Sequence, residues 1–353
     1  MDCSSRVMFL NSLNHFRAIA IVLIVAGHCT HLATVTFDTF GQRVFGNLIH
    51  GGTALFVFIS GFLFHHIFYQ RYRFKKFISS KIKKVLLPYT LLSVLSIAIQ
   101  LVNRKGHYSS FAPTGSFVND YLEPAFNYYI TGASAIAYWY IPFAMLLFLL
   151  SPLHVAFIQL PIKKQALITG LLFVVSLFLH RPVDEILIPQ AVAYFTPVYL
   201  FGILCSERQK TIYSKLQNKD IYLLLCAVLV AIIQVASGHA GNYTKSPFAY
   251  DGIDLMLVQK VLLCLFFMVW LHRFENLKSK YINILASASF AIYFTHSFVL
   301  LVGYKVFSIF NFTIESPWMW YPVIIAAVTL VCLLLALLVK KITPNYSRYL
   351  IGY

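Results

Sequence analysis

The sequence predicts an all-α, polytopic membrane protein, and its composition, its apolar run lengths and its charge distribution all indicate this class. The chain of 353 residues is 59% hydrophobic and only 11% charged, with a mean hydropathy of +0.74. Soluble domains carry about 25% charged residues, so this chain has too few polar groups to cover a water-exposed surface. Apolar runs of about 17 to 25 residues, the length that crosses a bilayer, recur between polar loops.

Ten of these runs are predicted to be transmembrane helices. They are residues 14–33, 53–68, 85–102, 138–157, 166–179, 190–205, 221–237, 254–271, 284–302 and 318–339. The second and fifth are short for a hydrocarbon layer of about 30 Å and need a thinner bilayer or cover from other helices. No separate soluble domain is evident, so residues 1–353 are predicted to form a single transmembrane domain.

The basic residues alternate between the two sides of this predicted bundle. The even-numbered loops and the two termini hold 20 of the 28 Lys and Arg residues, whereas the odd-numbered loops hold 6. By the positive-inside rule, both termini are predicted to be cytoplasmic. Topology and anionic lipid account for the net charge of +16, so we expect the lipid bilayer, and no nucleic acid, as a partner.

The first span carries a polar stripe on an otherwise apolar helix. At 100° per residue, Arg17 and His28 lie within about 20° of each other on the helix surface, and Asn14 and His31 fall on the same side. An arginine at membrane depth costs at least about 2 to 3 kcal/mol unless it faces protein or water. We therefore expect both side chains to face a polar interior, about 16 Å apart along the helix.

His28 is the candidate catalytic base. An imidazole with an ordinary pKa near 6.5 can take a proton from a hydroxyl that attacks a thioester and can pass it to the departing thiol. The alternative is a histidine that is hydrogen-bonded for helix packing. Because an extended pantetheine arm spans about the distance from Arg17 to His28, we expect Arg17 to hold coenzyme A phosphates while the thioester lies beside His28.

Other polar residues in the spans have two interpretations each. Ser289, Tyr293 and His296 share one face of the ninth span, where they line a common cavity with His28 or bond between helices. His31 is either an interfacial residue or an auxiliary of the site.

Two further positions in the spans, and three carboxylates outside them, are also candidates for a role at the site. Ser60 and Gly61 favour close helix packing over a nucleophilic serine. Lys260 is expected to snorkel outward, with substrate contact as the alternative. Carboxylates are scarce in the spans, so the sequence names no residue that orients His28; Asp38, Asp184 and Glu185 on the predicted outer side are candidates.

Two loops are candidate binding surfaces. Residues 69–84 hold seven basic residues, more than topology needs, so this loop contacts anionic lipid or binds an anion such as a nucleotide phosphate. The predicted cofactor-binding residues are Arg17, Arg71, Arg73, Lys81 and Lys84. The aromatic-rich outer loop 103–137 either caps a sugar site or belongs to an interfacial aromatic belt.

Six motifs follow one another along the chain. They are FRAIAIVLIVAGH (16–28), LFVFISGFLF (55–64), VLLPY (85–89), YWYIPFAMLLFLLSPL (138–153), PVYLFGILC (197–205) and SFAIYFTH (289–296). In this order they resemble the membrane acyltransferase-3 family, which includes bacterial polysaccharide O-acetyltransferases.

The resemblance implies an acyl-CoA co-substrate on the inner side, a glycan acceptor on the outer side and no metal. It also implies an essential arginine and histidine at Arg17 and His28. The residues predicted to contact the acceptor are His31, Trp139, Tyr293 and His296. Where the family has an arginine pair before the third span, this chain has Lys81 and Lys84, which contact phosphate without a bidentate fork.

The predicted function is an inner-membrane O-acyltransferase. It would move an acyl group, in the simplest case acetyl from acetyl-CoA, to a hydroxyl of an exopolysaccharide or lipid-linked glycan. The main alternative is a polysaccharide exporter, for which broken helices or inverted repeats are expected and neither is evident in the sequence. A membrane scaffold within a synthase complex would leave the polar stripe of the first span unexplained.

Overall fold

The computed structural model describes residues 10–103, 108 and 114–353, and the described residues form an all-α bundle. Its α-helices are α1 (Asn11–Leu32), α2 (Phe40–Ile49), α3 (Thr53–Leu63), α4 (Phe74–Lys81), α5 (Leu87–Asn103), α6 (Glu123–Thr131), α7 (Tyr140–Leu149), α8 (Ser151–Ile158), α9 (Ile162–Leu179), α10 (Ile188–Glu207), α11 (Gln209–Leu216), α12 (Asp220–Ala236), α13 (Leu255–His272), α14 (Lys280–Ile309), α15 (Pro317–Ile342) and α16 (Ser347–Leu350). Short π-helical turns at Phe64–Phe68 and Ile82–Leu86 join α3 and α5 to their neighbours.

The predicted spans correspond to these helices. Within the described residues, eight helical segments are long and apolar enough to cross a membrane, and two bent pairs bring the number to ten if each pair is one span. One pair, α7 and α8, bends by 54° where Pro152 cannot donate a hydrogen bond to the carbonyl of Phe148, four residues back. The other, α11 and α12, meets at 88° beside Asn218, whose φ is +61°. The sequence predicted only a basic loop where α11 lies.

Helix α1 packs against α2, α3, α13, α14 and α15, and it is unbroken over its 22 residues. Two of its polar contacts to α14 fix the direction of both helices. Asn14 donates to Asn283, and His28 is hydrogen-bonded to His296. Because the residue numbers rise together on the two helices, α1 and α14 run in the same direction, as the first and ninth of ten spans must.

Helices α3 and α10 cross at two glycines. A Cβ atom on Gly61 would overlap the carbonyl oxygen of Tyr199, and one on Gly202 would overlap that of Phe58. Small residues allow this backbone approach, which the packing interpretation of Gly61 predicts.

We expect Gly61→Ala to lower the free energy of unfolding by about 2 to 3 kcal/mol, because the backbones must move apart to admit the methyl group. Reversible denaturation in mixed micelles measures this loss. Gly170→Ala is the matched control, since a Cβ there meets no atom within 4 Å. Equal stability of the two variants would contradict the close crossing.

Candidate active site

A cavity of about 140 Å³ lies between α1, α14 and the turn that joins α2 to α3. His28 and Tyr293 form its helical wall, and the predicted outer segments contribute Arg181 and Asn242. No carboxylate among the described residues lines it. The cavity therefore has a largely apolar lining into which His28, His50 and Arg181 bring basic groups.

His28 is held by a chain of hydrogen bonds from α14. Its Nδ1 lies 2.9 Å from Nε2 of His296, and Nδ1 of His296 lies 3.1 Å from the carbonyl oxygen of Ile292. A carbonyl can only accept, so Nδ1 of a neutral His296 carries the proton and its Nε2 accepts from Nδ1–H of His28. Nε2 of neutral His28 is then left with its lone pair. This is the tautomer that a base requires.

Arg17 faces protein, as the polar stripe predicts. Its Nη2 donates to Ser289 Oγ at 3.1 Å, and the side chain is half-buried. Arg17 does not line the cavity, but Phe290, the residue after its partner, does. The lining residue Phe290 is therefore the direct neighbour in the chain of Ser289, which holds Arg17.

The predicted acceptor residues separate into three groups. Trp139 and Tyr293 line the cavity, and Tyr293 donates its hydroxyl proton to the carbonyl oxygen of Ala137. His296 is fully buried behind His28 and does not line the cavity. His31 is exposed and also lies off the cavity wall.

Trp139 is positioned by a left-handed glycine. Gly132 ends α6 at a φ of +74°, and a Cβ there would overlap the backbone of Trp139. Only glycine adopts this conformation at no steric cost. The C-terminal end of the aromatic loop therefore reaches the cavity, while Phe117 and Phe126 of the same loop are exposed and Phe111 lies outside the described residues.

Comparison with known families supplies the observation that decides the class. A family model described as an acyltransferase domain matches residues 10–337. The chain belongs to the acyltransferase-3 family. No curated protein and no solved structure is significantly similar to it.

Several residues that line the cavity of this acyltransferase were missed by sequence reasoning. Nδ1–H of His50 donates to the carbonyl oxygen of Gly46 at 2.7 Å, so Nε2 of the neutral ring is an acceptor. The side-chain amide oxygen of Asn242, Oδ1, is buried and has no hydrogen-bond partner among the described residues. The guanidinium of Arg181 lies 5.4 Å from the ring centroid of Trp139. The sequence held one local signal of these residues, the turn His50-Gly51-Gly52 before the second span. It held no indication that residues 181 and 242 lie close together.

Lys260 of the acyltransferase differs from its prediction. It is buried and donates to the carbonyl oxygens of Asn47 and Leu48, both at 2.9 Å, so it neither snorkels nor lines the cavity. The carbonyls at the end of α2 lack helical partners, and a cation there satisfies them.

The carboxylates proposed to orient His28 do not do so in the described residues. Asp38 is exposed and accepts from Thr36, and Asp184 is exposed. The side chain of Glu185 lies outside the described part of the chain. A second imidazole holds His28 instead.

The predicted cofactor-binding cations of the acyltransferase lie in two environments. Arg71 and Arg73 are exposed. The ammonium of Lys81 lies 4.3 to 5.0 Å from three ring centroids, those of Phe68, Phe77 and Phe148. Lys84 is half-buried. Cation–π contact holds the charge of Lys81 inside the bundle.

Proposed function

We propose that this membrane acyltransferase moves an acyl group, in the simplest case acetyl, from acyl-CoA to a hydroxyl of an exopolysaccharide or lipid-linked glycan. The donor binds from the predicted cytoplasmic side of an inner membrane, and the acceptor enters from the other side. The observation that carries the proposal is the hydrogen-bond chain from Ile292 through His296 to His28, which lines the cavity.

In this mechanism, Nε2 of His28 takes the proton of the acceptor hydroxyl while its oxygen attacks the thioester carbonyl carbon. A carbon–oxygen bond forms, and the carbonyl oxygen becomes an oxyanion. The carbon–sulfur bond then breaks, and the imidazolium returns the proton to the leaving thiolate. The products are an ester and coenzyme A with a free thiol. Neutral His296 supports the step because it accepts from Nδ1–H of His28 throughout.

The start of α3 supplies groups that suit the oxyanion. Gly51, Gly52 and Thr53 line the same cavity as His28. The first N–H groups of a helix have no intrahelical partner and carry the positive end of its dipole. Preorganised donors of this kind stabilise the charge that develops in acyl transfer.

The acceptor side of the cavity suits a sugar. The rings of Trp139 and Tyr293 offer apolar faces, and Asn242 has a buried side-chain amide oxygen without a hydrogen-bond partner among the described residues, which is an acceptor for a sugar hydroxyl. An unsatisfied buried acceptor costs about 1 to 3 kcal/mol, and a bound hydroxyl removes that cost.

Slow release of free coenzyme A from acetyl-CoA by the purified protein, without acceptor, tests the proposal. Water can replace the acceptor hydroxyl beside His28, so we expect hydrolysis well above the rate without protein. Chromatography of the nucleotide products measures it. A polysaccharide exporter would give none, and the absence of hydrolysis and of transfer to any added glycan would contradict the proposal.

We expect Arg17→Ala to raise the KM for acyl-CoA by about tenfold or more, since a charged hydrogen bond is worth about 1.5 to 3 kcal/mol, with little change in the KM for the acceptor. Steady-state kinetics with each substrate varied in turn measures both constants. Arg43→Ala, at an exposed arginine on the predicted outer side, is the control. An equal rise in both KM values would contradict a donor-binding role.

A further inference from the structure

The C-terminal segment, residues 343–353, folds back against the bundle beyond the end of the family match at residue 337. Helix α16 packs against α5 and against the turn Ile82–Leu86, and Ile351 is buried in the core. Ser347 Oγ donates to the main-chain oxygen of Tyr353 at 2.6 Å, which closes the segment on itself.

The end of this segment reaches the inner limit of the cavity. Gly352 has a left-handed φ of +82°, and a Cβ there would lie 2.9 Å from Cδ1 of Phe290. Phe290 lines the cavity and follows Ser289, the partner of Arg17. The segment therefore lies next to the cavity on the side that faces the predicted cytoplasm.

This docking brings Arg348 into one group with three cations that were predicted to bind the cofactor. Arg348 lies on α16, which packs against the turn Ile82–Leu86 that contains Lys84 and directly follows Lys81. Gly352 of the same segment lies against Phe290, the residue after the hydrogen-bond partner of Arg17, so the charge of Arg348 is close to those of all three cations. Among the described residues, no ion pair joins any of the four to a carboxylate. The four side chains form what we call the inner cation cluster.

Topology does not explain the inner cation cluster. The positive-inside rule requires basic residues near the membrane, but not their assembly around a docked terminal segment. Like charges that gather without a counter-ion repel one another, and an anion that binds there is stabilised by all of them. The cluster therefore has the charge pattern of an anion site.

Arg348 also brings a chemical group that the neighbouring residues lack. Lys81 and Lys84 contact phosphate as point charges, whereas a guanidinium binds two phosphate oxygens through its planar fork. Because Lys81 is held among three aromatic rings, an arginine from another segment is well suited to supply that fork.

We propose that Arg348, from the C-terminal segment, binds phosphate groups of the nucleotide part of acyl-CoA together with Arg17, Lys81 and Lys84. This inference rests on the proposed acyl-CoA-dependent function and adds the residue that completes its donor site. The phosphates bind at the inner cation cluster, and the pantetheine arm passes Phe290 into the cavity.

The experiment compares two donors on the full-length protein in nanodiscs of neutral phosphatidylcholine. Acetyl-CoA carries the phosphates, whereas S-acetylpantetheine has the same thioester arm without nucleotide or phosphate. We expect Arg348→Ala to raise the KM for acetyl-CoA about tenfold, with an unchanged KM for S-acetylpantetheine, and Arg348→Lys to lie between. Lys341→Ala removes an exposed cation from the same end of the chain and should match the wild type.

A second measurement, the inhibition constant of a nucleotide without a thioester arm, tests the same site in case Arg348→Ala folds poorly. Adenosine 3′,5′-bisphosphate should inhibit the wild type competitively against acetyl-CoA, and its inhibition constant should rise about tenfold in Arg348→Ala and by a smaller factor in Arg348→Lys. An effect that is equal for both donors and appears only in nanodiscs with anionic phosphatidylglycerol would assign the cluster to a lipid headgroup and overturn the inference.

Two failures can be told apart. If wild-type protein turns over acetyl-CoA while Arg348→Ala behaves like Lys341→Ala with both donors, the role of Arg348 is wrong and the proposed function stands. If the wild type turns over neither donor and transfers to no added glycan, the proposed function fails, and the inference fails with it.

Discussion

Replacing His28 with alanine is expected to lower the rate of acyl transfer by about 10³-fold while the protein remains folded and inserted. The loss reflects general acid–base catalysis, which contributes about 10² to 10⁴-fold, because His28 is the base of the proposed mechanism and His296 fixes its tautomer. The measurement is the initial rate of acyl transfer, or of coenzyme A release without acceptor. His28→Gln should be equally slow, since an amide is not a base.

His272→Ala is the matched control for this prediction. His272 is an exposed histidine that stacks on Tyr213, and it does not line the cavity with His28. This variant should retain wild-type activity. Elution volume and melting temperature in detergent check that all variants are folded. Full activity of a folded His28→Ala protein would end the proposed mechanism.

Replacing His296 with leucine is expected to lower kcat by about 10²-fold with little change in either KM. His296 is a positioning residue, because it acts through His28 and does not line the cavity. Without its Nε2 acceptor, Nδ1–H of His28 has no partner, and the imidazole loses its fixed ring orientation and tautomer. Steady-state kinetics on both substrates separates kcat from KM.

His296→Gln should restore much of the activity. The amide oxygen of glutamine can occupy the place of Nε2 and accept from Nδ1–H of His28. A purely structural role predicts a different pattern, in which Leu and Gln lower kcat alike and in proportion to their melting temperatures. That outcome, or wild-type kcat in His296→Leu, would refute the positioning role.

Much of the fold could be predicted from the chain because a bilayer limits what a sequence can do. Each span must satisfy its own backbone hydrogen bonds as a helix, so length and hydropathy are enough to place it. The alternation of basic residues between the two sides of the membrane supported ten spans, because another number of spans would disrupt it. The bends could not be placed in the same way: Pro152 marks one, but the 88° turn beside Asn218 depends on packing at the bundle surface.

The candidate site was likewise predictable in part from the sequence. Helical periodicity placed Arg17 and His28 on one face of α1. Because a charge in lipid is costly, that face was predicted to contact polar groups of the protein or water. Ser289 and His296 were found on a second helix by the same rule, without a way to decide whether they line a cavity or bond between helices. Their bonds to Arg17 and His28 decide it.

The sequence by itself determined the class of the protein and its spans, through composition and the length of apolar runs, and it placed Arg17 and His28 on one polar stripe, through their spacing within one helix. Only the tertiary structure decided which groups meet those residues. Arg181, Asn242 and Arg348 lie far from His28 and Arg17 along the chain, and periodicity carries no information across loops. Their placement depends on helix crossings such as that at Gly61, where backbone contact and not local sequence sets the geometry.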